Sequence, residues 1–190
     1  MSFRGVFSLA LFGADGRCRR RFRASNTVVV VGENFMLQTV LTGNGYTVTG
    51  PYMGMISSLG AGITANDTMA SHAWVESAAT IYSARQLANA WGTPTGGSIQ
   101  LSIPASFMAI GSDTINGAFM VLGADAVPTP ASTAGVLLSA ATFPAQTVSS
   151  GMTLQVSYEF SIGPVGAVGV LTTDTGQPLV TDTGQPLLPG

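Results

Sequence analysis

The apolar and polar positions of this chain alternate in many short runs, which predicts strands separated by tight turns. Apolar and small residues alternate over residues 3–12, and Asp15-Gly16 then marks a hairpin turn before a second run at 18–23. The β-branched run at 28–31 indicates a buried strand. Further strands are expected at 52–56, 74–76, 81–87, 99–103, 106–110, 114–122, 136–140, 143–148 and 154–162.

One stretch has a helical period instead. Phe35, Met36 and Val40 fall on one face of a helix over residues 33–41, and Gly43 follows as a C-terminal signal. The connections between the expected strands are too short for helical crossovers, so the strands should pair antiparallel. We therefore expect an all-β domain over residues 1–165. It should be a jelly-roll or related antiparallel β-sandwich that includes the N-terminal hairpin, with one short helix at an open end.

The last residues, 166–190, differ because they contain an eight-residue repeat. The sequence TDTGQPL occupies 173–179 and returns at 181–187. Proline and glycine in each copy exclude a helix, and two copies are too few for a solenoid. One interpretation is an extended arm that lies on a neighbouring subunit, with Leu179 and Leu187 as anchors. The alternative is a disordered tail.

The composition limits the possible functions. Only 8% of residues are charged, against about 25% in typical soluble domains, and the chain has no lysine, one histidine and one cysteine. Catalysis on polar substrates needs clustered acids, bases or metal ligands, so we expect no enzyme, no cofactor and no metal. A chain so poor in charge, with a mean hydropathy of +0.40, is expected to bury surface against other subunits. No run reaches the roughly 18 apolar residues of a membrane span, so no membrane contact is expected.

The positive charge is concentrated near the N-terminus. Five arginines lie within seven residues: Arg17, Arg19, Arg20, Arg21 and Arg23. Along a strand, alternation would place all of them except Arg20 on one face, as a subunit contact for an acidic surface. A solvated face and a nucleic-acid contact are the alternatives. Nucleic acid is not favoured, because the net charge is −2 and no aromatic residues are interleaved at base-stacking positions.

The single histidine lies in the one group of nearby acids. We interpret Asp67, His72, Trp74 and Glu76 as a structural loop, in which His72 and Glu76 form hydrogen bonds that hold it in place. Metal binding or acid–base catalysis is the alternative, but a zinc site lacks a second His or Cys ligand. The chain also has no G-x-S-x-G motif. Trp74 and Tyr52 are expected to be core or interface anchors, with a sugar-stacking face as the alternative.

Four motifs and two single residues stand out between residues 26 and 162. They are YMGMI at 52–56, NDTMASHAWVE at 66–76, Tyr82, Arg85, INGAF at 115–119 and GMTLQV at 151–156. Together they resemble small virion proteins of tailed bacteriophages, which show a Y-x-G-L-I strand, a D-T-M-A-S-H-x-G-W-x-E loop, a G-x-F strand and a G-D-x-L-x-V strand. This chain lacks the glycine before Trp74 and has Met152 in place of the aspartate, which bears on the geometry of the loops.

The resemblance implies a structural role in the virion. With the composition, it leads us to expect a non-enzymatic capsid decoration or cement protein on the capsid surface. Its expected partners are the major capsid protein and its own copies. A tail or head-to-tail component, such as a fiber-anchoring collar, is the first alternative. A host-surface glycan-binding module is the second, and it would require a solvent-facing cluster of aromatic side chains.

Overall fold

The computed structural model describes residues 2–41 and 49–163. The predicted arm at 166–190, with Leu179 and Leu187, lies outside the described residues. The chain divides into two compact units, one of Phe3–Ser161 and one of Met1–Ser2 with Ile162–Gly190. The account below is of the first unit.

The described part of the chain contains eleven strands and one helix. Their bounds are β1 Ser2–Phe12, β2 Cys18–Ser25, β3 Thr27–Val28, α1 Val30–Leu41, β4 Tyr52–Ser58, β5 Val75–Glu76, β6 Gln86–Leu87, β7 Ser98–Gln100, β8 Ala105–Met108, β9 Asp113–Leu122, β10 Val136–Val148 and β11 Thr153–Gly163. Within the described ranges, no helix is both long enough and apolar enough to cross a membrane.

The strands form two sheets. Sheet 1 has the order β2–β1–β11, with β7 and β8 both paired to the other side of β11. Sheet 2 has the order β3–β10–β9–β4, with β5 and β6 both paired to the other side of β4. Every pairing whose register is described is antiparallel. The predicted all-β antiparallel sandwich with one short helix is confirmed.

The strand pairs are nested along the chain. The first strand, β1, neighbours the last, β11, while β3 pairs with β10 and β4 with β9. A jelly roll also arises from such nesting, but its successive pairs alternate between the two sheets. Here the β3–β10 and β4–β9 pairs both lie in sheet 2, so the fold is a sandwich related to the jelly roll.

The main core lies between the sheets, because alternate side chains of each strand point inward. Phe7 and Leu9 of β1 belong to the same buried cluster as Met53 and Met55 of β4. The hydroxyl of Tyr158 is buried among them, which raises the pKa of Tyr158 to about 12.

That hydroxyl also links the two sheets. Tyr158 lies on β11 of sheet 1, and Ser139 lies on β10 of sheet 2. The Tyr158 oxygen accepts hydrogen bonds from Asn26 Nδ2 at 2.7 Å and from Ser139 Oγ at 3.1 Å. A buried polar group is therefore paired, as it must be to avoid a desolvation penalty.

Sheet 2 is buried on both faces. Phe119, Val121 and Leu137 point away from the main core and form a second buried cluster, which also contains Met69 and Trp74. Met69 and Trp74 lie in the segment between β4 and β5. This segment therefore covers the outer face of sheet 2, and it contains the predicted structural loop.

The predicted strand at 28–31 is confirmed only at Val28, because β3 ends there and the helix begins at Val30 instead of residue 33. Val29 is fully buried, and its amide donates to the Leu138 carbonyl at 3.2 Å. A Cβ at Gly32 would lie 2.6 Å from that same carbonyl oxygen, so glycine allows the helix to pack directly on β10. This packing outweighs the strand preference of the valines.

Two other predicted elements have different bounds. Residues 81–87 are mostly turn, and the paired part is only Gln86–Leu87, because Tyr82 and Arg85 point into the protein. The two strands expected at 136–140 and 143–148 are one strand, β10, which stays paired with β9 through two irregularities in register. Bulges of this kind allow one long strand to bend without ending.

Candidate functional site

The predicted structural loop is held down by Asp67 and Trp74. The Trp74 side chain is 2% exposed and its ring lies 4.9 Å from that of Phe119 on β9. The Asp67 carboxylate accepts a hydrogen bond from Trp74 Nε1 at 3.1 Å and another from Thr64 Oγ1 at 2.6 Å. The carboxylate therefore satisfies a buried indole N–H, which would otherwise be unpaired.

His72 packs on the outer side of the same indole. The two rings are parallel within 7° and their centroids are 3.6 Å apart. The His72 Nδ1 lies 2.8 Å from the Trp74 carbonyl oxygen. A carbonyl oxygen can only accept, so Nδ1 carries the proton and donates it. Both ring contacts of His72 thus hold the loop against Trp74.

Glu76 belongs to a different arrangement, a buried ion pair with Arg85. Arg85 Nε donates to Glu76 Oε1 at 2.9 Å, and Nη2 donates to Oε2 at 2.8 Å. The side chains are only 1% and 9% exposed. The guanidinium carbon also lies 5.2 Å from the centre of the Phe119 ring. Two parallel charge-assisted bonds and a cation–π contact compensate for removing both charges from water.

This ion pair fastens the segment between β9 and β10 as well. Arg85 Nη2 donates to the Ser132 carbonyl at 2.7 Å, and the amide of Ala131 donates to Glu76 Oε2 at 2.7 Å. Ala131 has a φ of 60°, a conformation that costs energy for a residue other than glycine. The carboxylate therefore holds a strained turn in place.

Gly54 of β4 lies beneath the pair and leaves room for it. A Cβ at this position would collide with the Phe119 ring and lie 3.0 Å from Glu76 Oε1. The sequence YMGMI thus includes a glycine where the sheet must accept an aromatic ring at close range.

Sequence reasoning did not identify Arg85 as the partner of Glu76. The available signal was that Arg85 is the only arginine outside the N-terminal 25 residues. A single arginine in an apolar stretch needs a carboxylate when it is buried, and Glu76 is near in sequence. His72 and Glu76, four residues apart, do not share a helix face, because residues 69–76 are not helical.

The loop borders an open groove of about 500 Å³, whose lining includes His72, Trp74 and Thr133. Asp67 and Glu76 both accept hydrogen bonds from buried donors, so neither is available beside His72 as a free base. Within residues 2–41 and 49–163, no group of three His, Cys, Asp or Glu side chains could hold a metal ion. In the same residues every aromatic side chain is buried or half-buried, so they provide no solvent-facing aromatic cluster.

The β1–β2 hairpin forms the second candidate site. Gly16 has a φ of 75°, and Asp15 Oδ1 accepts the amide of Arg17 at 3.1 Å, which closes the predicted turn. Arg21 lies opposite Ala10, and Arg23 opposite Ser8. These two arginines therefore point to the outer face of sheet 1, while Phe22 packs against the main core.

The predicted single face does not extend to all of the arginines. Arg17 precedes β2 and lies in the turn. The register shifts between Leu11 and Phe12, so Arg19 is the extra residue of a bulge. The positions of these two side chains therefore depend on the geometry of the turn and of the bulge, which strand alternation does not describe.

Most of the hairpin's charge has no partner in the described chain. Arg19 pairs with Asp15 at 2.8 Å and Arg23 with Glu159 at 2.9 Å, both in contact with solvent. Arg4, Arg17, Arg20 and Arg21 form no ion pair with a described residue. Six arginines and one aspartate up to residue 25 leave a charge of +5, whereas one arginine and eight acids after it leave −7.

The other edge of sheet 1, at β8, is apolar. Ile103, Met108 and Ile110, in and next to β8, are 67%, 65% and 52% exposed. Large apolar side chains that remain this exposed are typical of surfaces that contact other molecules. Sheet 1 thus combines a basic margin at β2 with an apolar margin at β8.

Comparison with protein-family models, with curated proteins and with solved structures finds no match to this chain. The resemblance to bacteriophage virion proteins therefore stays a prediction.

Proposed function

We propose that this chain is a non-enzymatic structural protein of a tailed-bacteriophage virion, a decoration or cement protein that binds the outer surface of the capsid. Its partners are then the major capsid protein and further copies of itself. The mechanism is mechanical, because a protein that binds only the assembled shell stabilises that shell by mass action.

The observation that carries this proposal is the uneven distribution of charge over the sandwich. Arg21 and Arg23 lie on an open sheet face, beside a concavity of about 490 Å³ that Phe12 and Gln155 also line. A positive patch of this kind favours an acidic protein surface and speeds the encounter with it.

The loop at 66–76 supports a structural role in a different way. Its four predicted residues are engaged in packing, ion-pair and hydrogen-bond contacts that close the outer face of sheet 2. Such contacts make the domain resistant to local unfolding, which suits a protein exposed on a particle surface.

The first experiment is to measure copy number and location on purified particles, by gel densitometry against the major capsid protein and by antibody-gold labelling. A copy number comparable to that of the major capsid protein, with gold over the head, supports the decoration role. A small ring-like copy number with gold at the neck or tail would contradict it and favour the tail or collar alternative.

A matched pair of variants tests the contact itself. Arg21→Glu reverses a charge on the open face, and we expect it to lower particle occupancy about tenfold at a fixed protein concentration. Asp125→Arg changes an exposed residue in the segment between β9 and β10 of sheet 2 and should bind like the wild type. Equal occupancy for both variants would show that the hairpin face is not the shell contact.

A further inference from the structure

An apolar cleft of about 230 Å³ lies between the two sheets, beside α1. Its floor is formed by Met120 and Leu122 of β9 in sheet 2 and by Tyr158 and Phe160 of β11 in sheet 1. All four side chains are buried. Packed protein interiors contain few voids larger than a water molecule, so a cleft of this size in the core is a candidate ligand site.

The rim of the cleft is formed by half-buried side chains from three other segments. Met36 belongs to α1, Trp91 lies between β6 and β7, and Ile99 lies on β7. Ile99 is directly opposite Phe160, and opposite residues of paired strands point to the same face. The side chain of Ile99 therefore points inward, as that of Phe160 does. A rim that is only half-buried gives a small molecule access to the buried floor.

The chemistry of the lining selects against charge. No charged side chain of the described chain lines the cleft. The one hydroxyl among the lining residues is that of Tyr158, and it already forms hydrogen bonds with Asn26 and Ser139. A charged ligand would therefore lose its hydration without gaining a partner. An uncharged ligand would not have this cost.

The lining also favours an aromatic ring. The rings of Trp91 and Phe160 have their centroids 6.3 and 6.5 Å from that of Tyr158, in edge-to-face and stacked arrangements. A further ring could form the same favourable contacts with them, and the thioethers of Met36 and Met120 also attract aromatic rings. A dry apolar cavity of about 150 Å³ is enough to bind benzene, so this cleft has room for one ring with a short substituent.

We propose that this cleft binds one small uncharged aromatic molecule, with its ring between Met120 of sheet 2 and Phe160 of sheet 1. The site goes beyond the proposed structural role and uses neither Arg21 nor Arg23. A failure here would leave the proposed shell contact untouched, and the site can be tested on the purified protein without particles.

The test is a titration of the full chain with benzene, followed by NMR of the methionine methyl groups. Met36 and Met120 should show shifts that saturate, because a bound aromatic ring changes the magnetic field at both methyl groups. Met69, in the cluster on the outer face of sheet 2, and Met108, which is exposed on β8, are the internal controls and should not shift. Benzoate has the same ring with a carboxylate, and we expect it to bind at least about tenfold more weakly.

A matched pair of variants locates the site. Ile99→Phe adds a ring that would occupy the cleft, and we expect it to weaken benzene binding at least about tenfold. Ile103→Phe makes the same change at a side chain that is 67% exposed and should bind benzene like the wild type. Thermal unfolding shows whether both variants are folded, and the wild-type titration decides the proposal even if Ile99→Phe is not.

Three outcomes would overturn the proposal. The first is a set of methyl shifts at Met36 and Met120 that do not saturate, or that Met69 and Met108 share. The second is equal benzene affinity of the two folded isoleucine variants. The third is benzoate binding as tight as that of benzene.

Discussion

The outer faces of the two sheets differ although both carry an arginine–carboxylate pair. On sheet 2, Arg85 and Glu76 are 2.8 Å apart and almost fully buried. On sheet 1, Arg23 and Glu159 are 2.9 Å apart with 66% and 34% of their side chains exposed. Nearly equal distances thus accompany very different environments, and burial rather than distance decides what each pair contributes.

The difference arises from the connections that flank each sheet. The segments between β4 and β5 and between β9 and β10 supply Met69, Trp74 and Ala126 to the second cluster. In contrast, β1 and β2 are joined by a tight turn that can cover nothing. The outer face of sheet 2 is therefore covered within the domain, whereas Arg21 and Arg23 on the outer face of sheet 1 stay exposed.

The largest expected effect comes from breaking the buried pair. Arg85→Met leaves Glu76 buried without its partner. It also removes the hydrogen bonds that Arg85 donates to the Val127 and Ser132 carbonyls, at 3.4 and 2.7 Å. We expect the free energy of unfolding to fall by about 3–5 kcal/mol, measured by urea denaturation.

The matched change on the open face is Arg23→Met. Water can solvate Glu159 once the arginine is gone, so we expect a loss of no more than about 1 kcal/mol. If the two variants are equally stable, the contrast between the faces is wrong.

The interior between the sheets provides a comparison that involves neither outer face. Burial raises the pKa of Tyr158 from 10.0 to about 12. Above pH 10 the unfolded chain loses this proton while the folded chain keeps it. The contribution of Tyr158 to stability is therefore complete below pH 10 and decreases by up to about 1.4 kcal/mol per pH unit as pH rises toward 12.

Alkaline urea titrations of wild type and Tyr158→Phe measure this contribution. Between pH 10 and 12, the free energy of unfolding of the variant should fall less steeply with pH than that of the wild type. It should still fall. Burial, reinforced by the nearby Asp113 carboxylate, also raises the pKa of Tyr82, which acts in the same direction. Identical slopes would mean that Tyr158 ionises as readily in the folded state as in the unfolded one.

Added volume should also distinguish the two faces. Gly54→Ala places a methyl group against the Phe119 ring, and we expect a loss of about 1–3 kcal/mol. Ala10→Val adds two methyl groups on the open face of sheet 1 and should change stability by less than about 0.5 kcal/mol. Thermal unfolding of both variants checks the order, and a larger loss for Ala10→Val would reverse the assignment of open and covered faces.

Among the changes on the covered face of sheet 2, His72→Ala has the smallest expected effect. The substitution removes one ring stack and one hydrogen bond at the margin of the covered face, which together contribute about 1 kcal/mol. Urea denaturation measures the loss, and hydrogen exchange should locate it in residues 59–77. A stability equal to wild type would contradict a holding role for this ring.

Much of the fold could be predicted because strand periodicity and turn chemistry are local. Alternation along β1 and the Asp15-Gly16 turn were sufficient for the hairpin, and the regular spacing of later runs was sufficient for an antiparallel sandwich. The helix start could not be predicted from residues 28–31, because the contact of Gly32 with the β10 backbone depends on residues more than 100 positions away.

The candidate site was only partly predictable for the same reason. Asp67, His72, Trp74 and Glu76 were identified as one loop by their proximity in sequence. The structure divides them into a Trp74 group and an Arg85 group, which sequence distance could not distinguish. The proposed contacts of Leu179 and Leu187 lie outside the described residues and stay predictions.

The sequence by itself determined the class of fold, the concentration of positive charge in the first 25 residues and the scarcity of charged residues and histidine elsewhere. These depend on composition and on patterns a few residues long. Only the tertiary structure decided which arginine is buried, which face of which sheet is covered, and where a cleft opens between the sheets. Those properties depend on contacts between distant segments, whose free energies no local pattern contains.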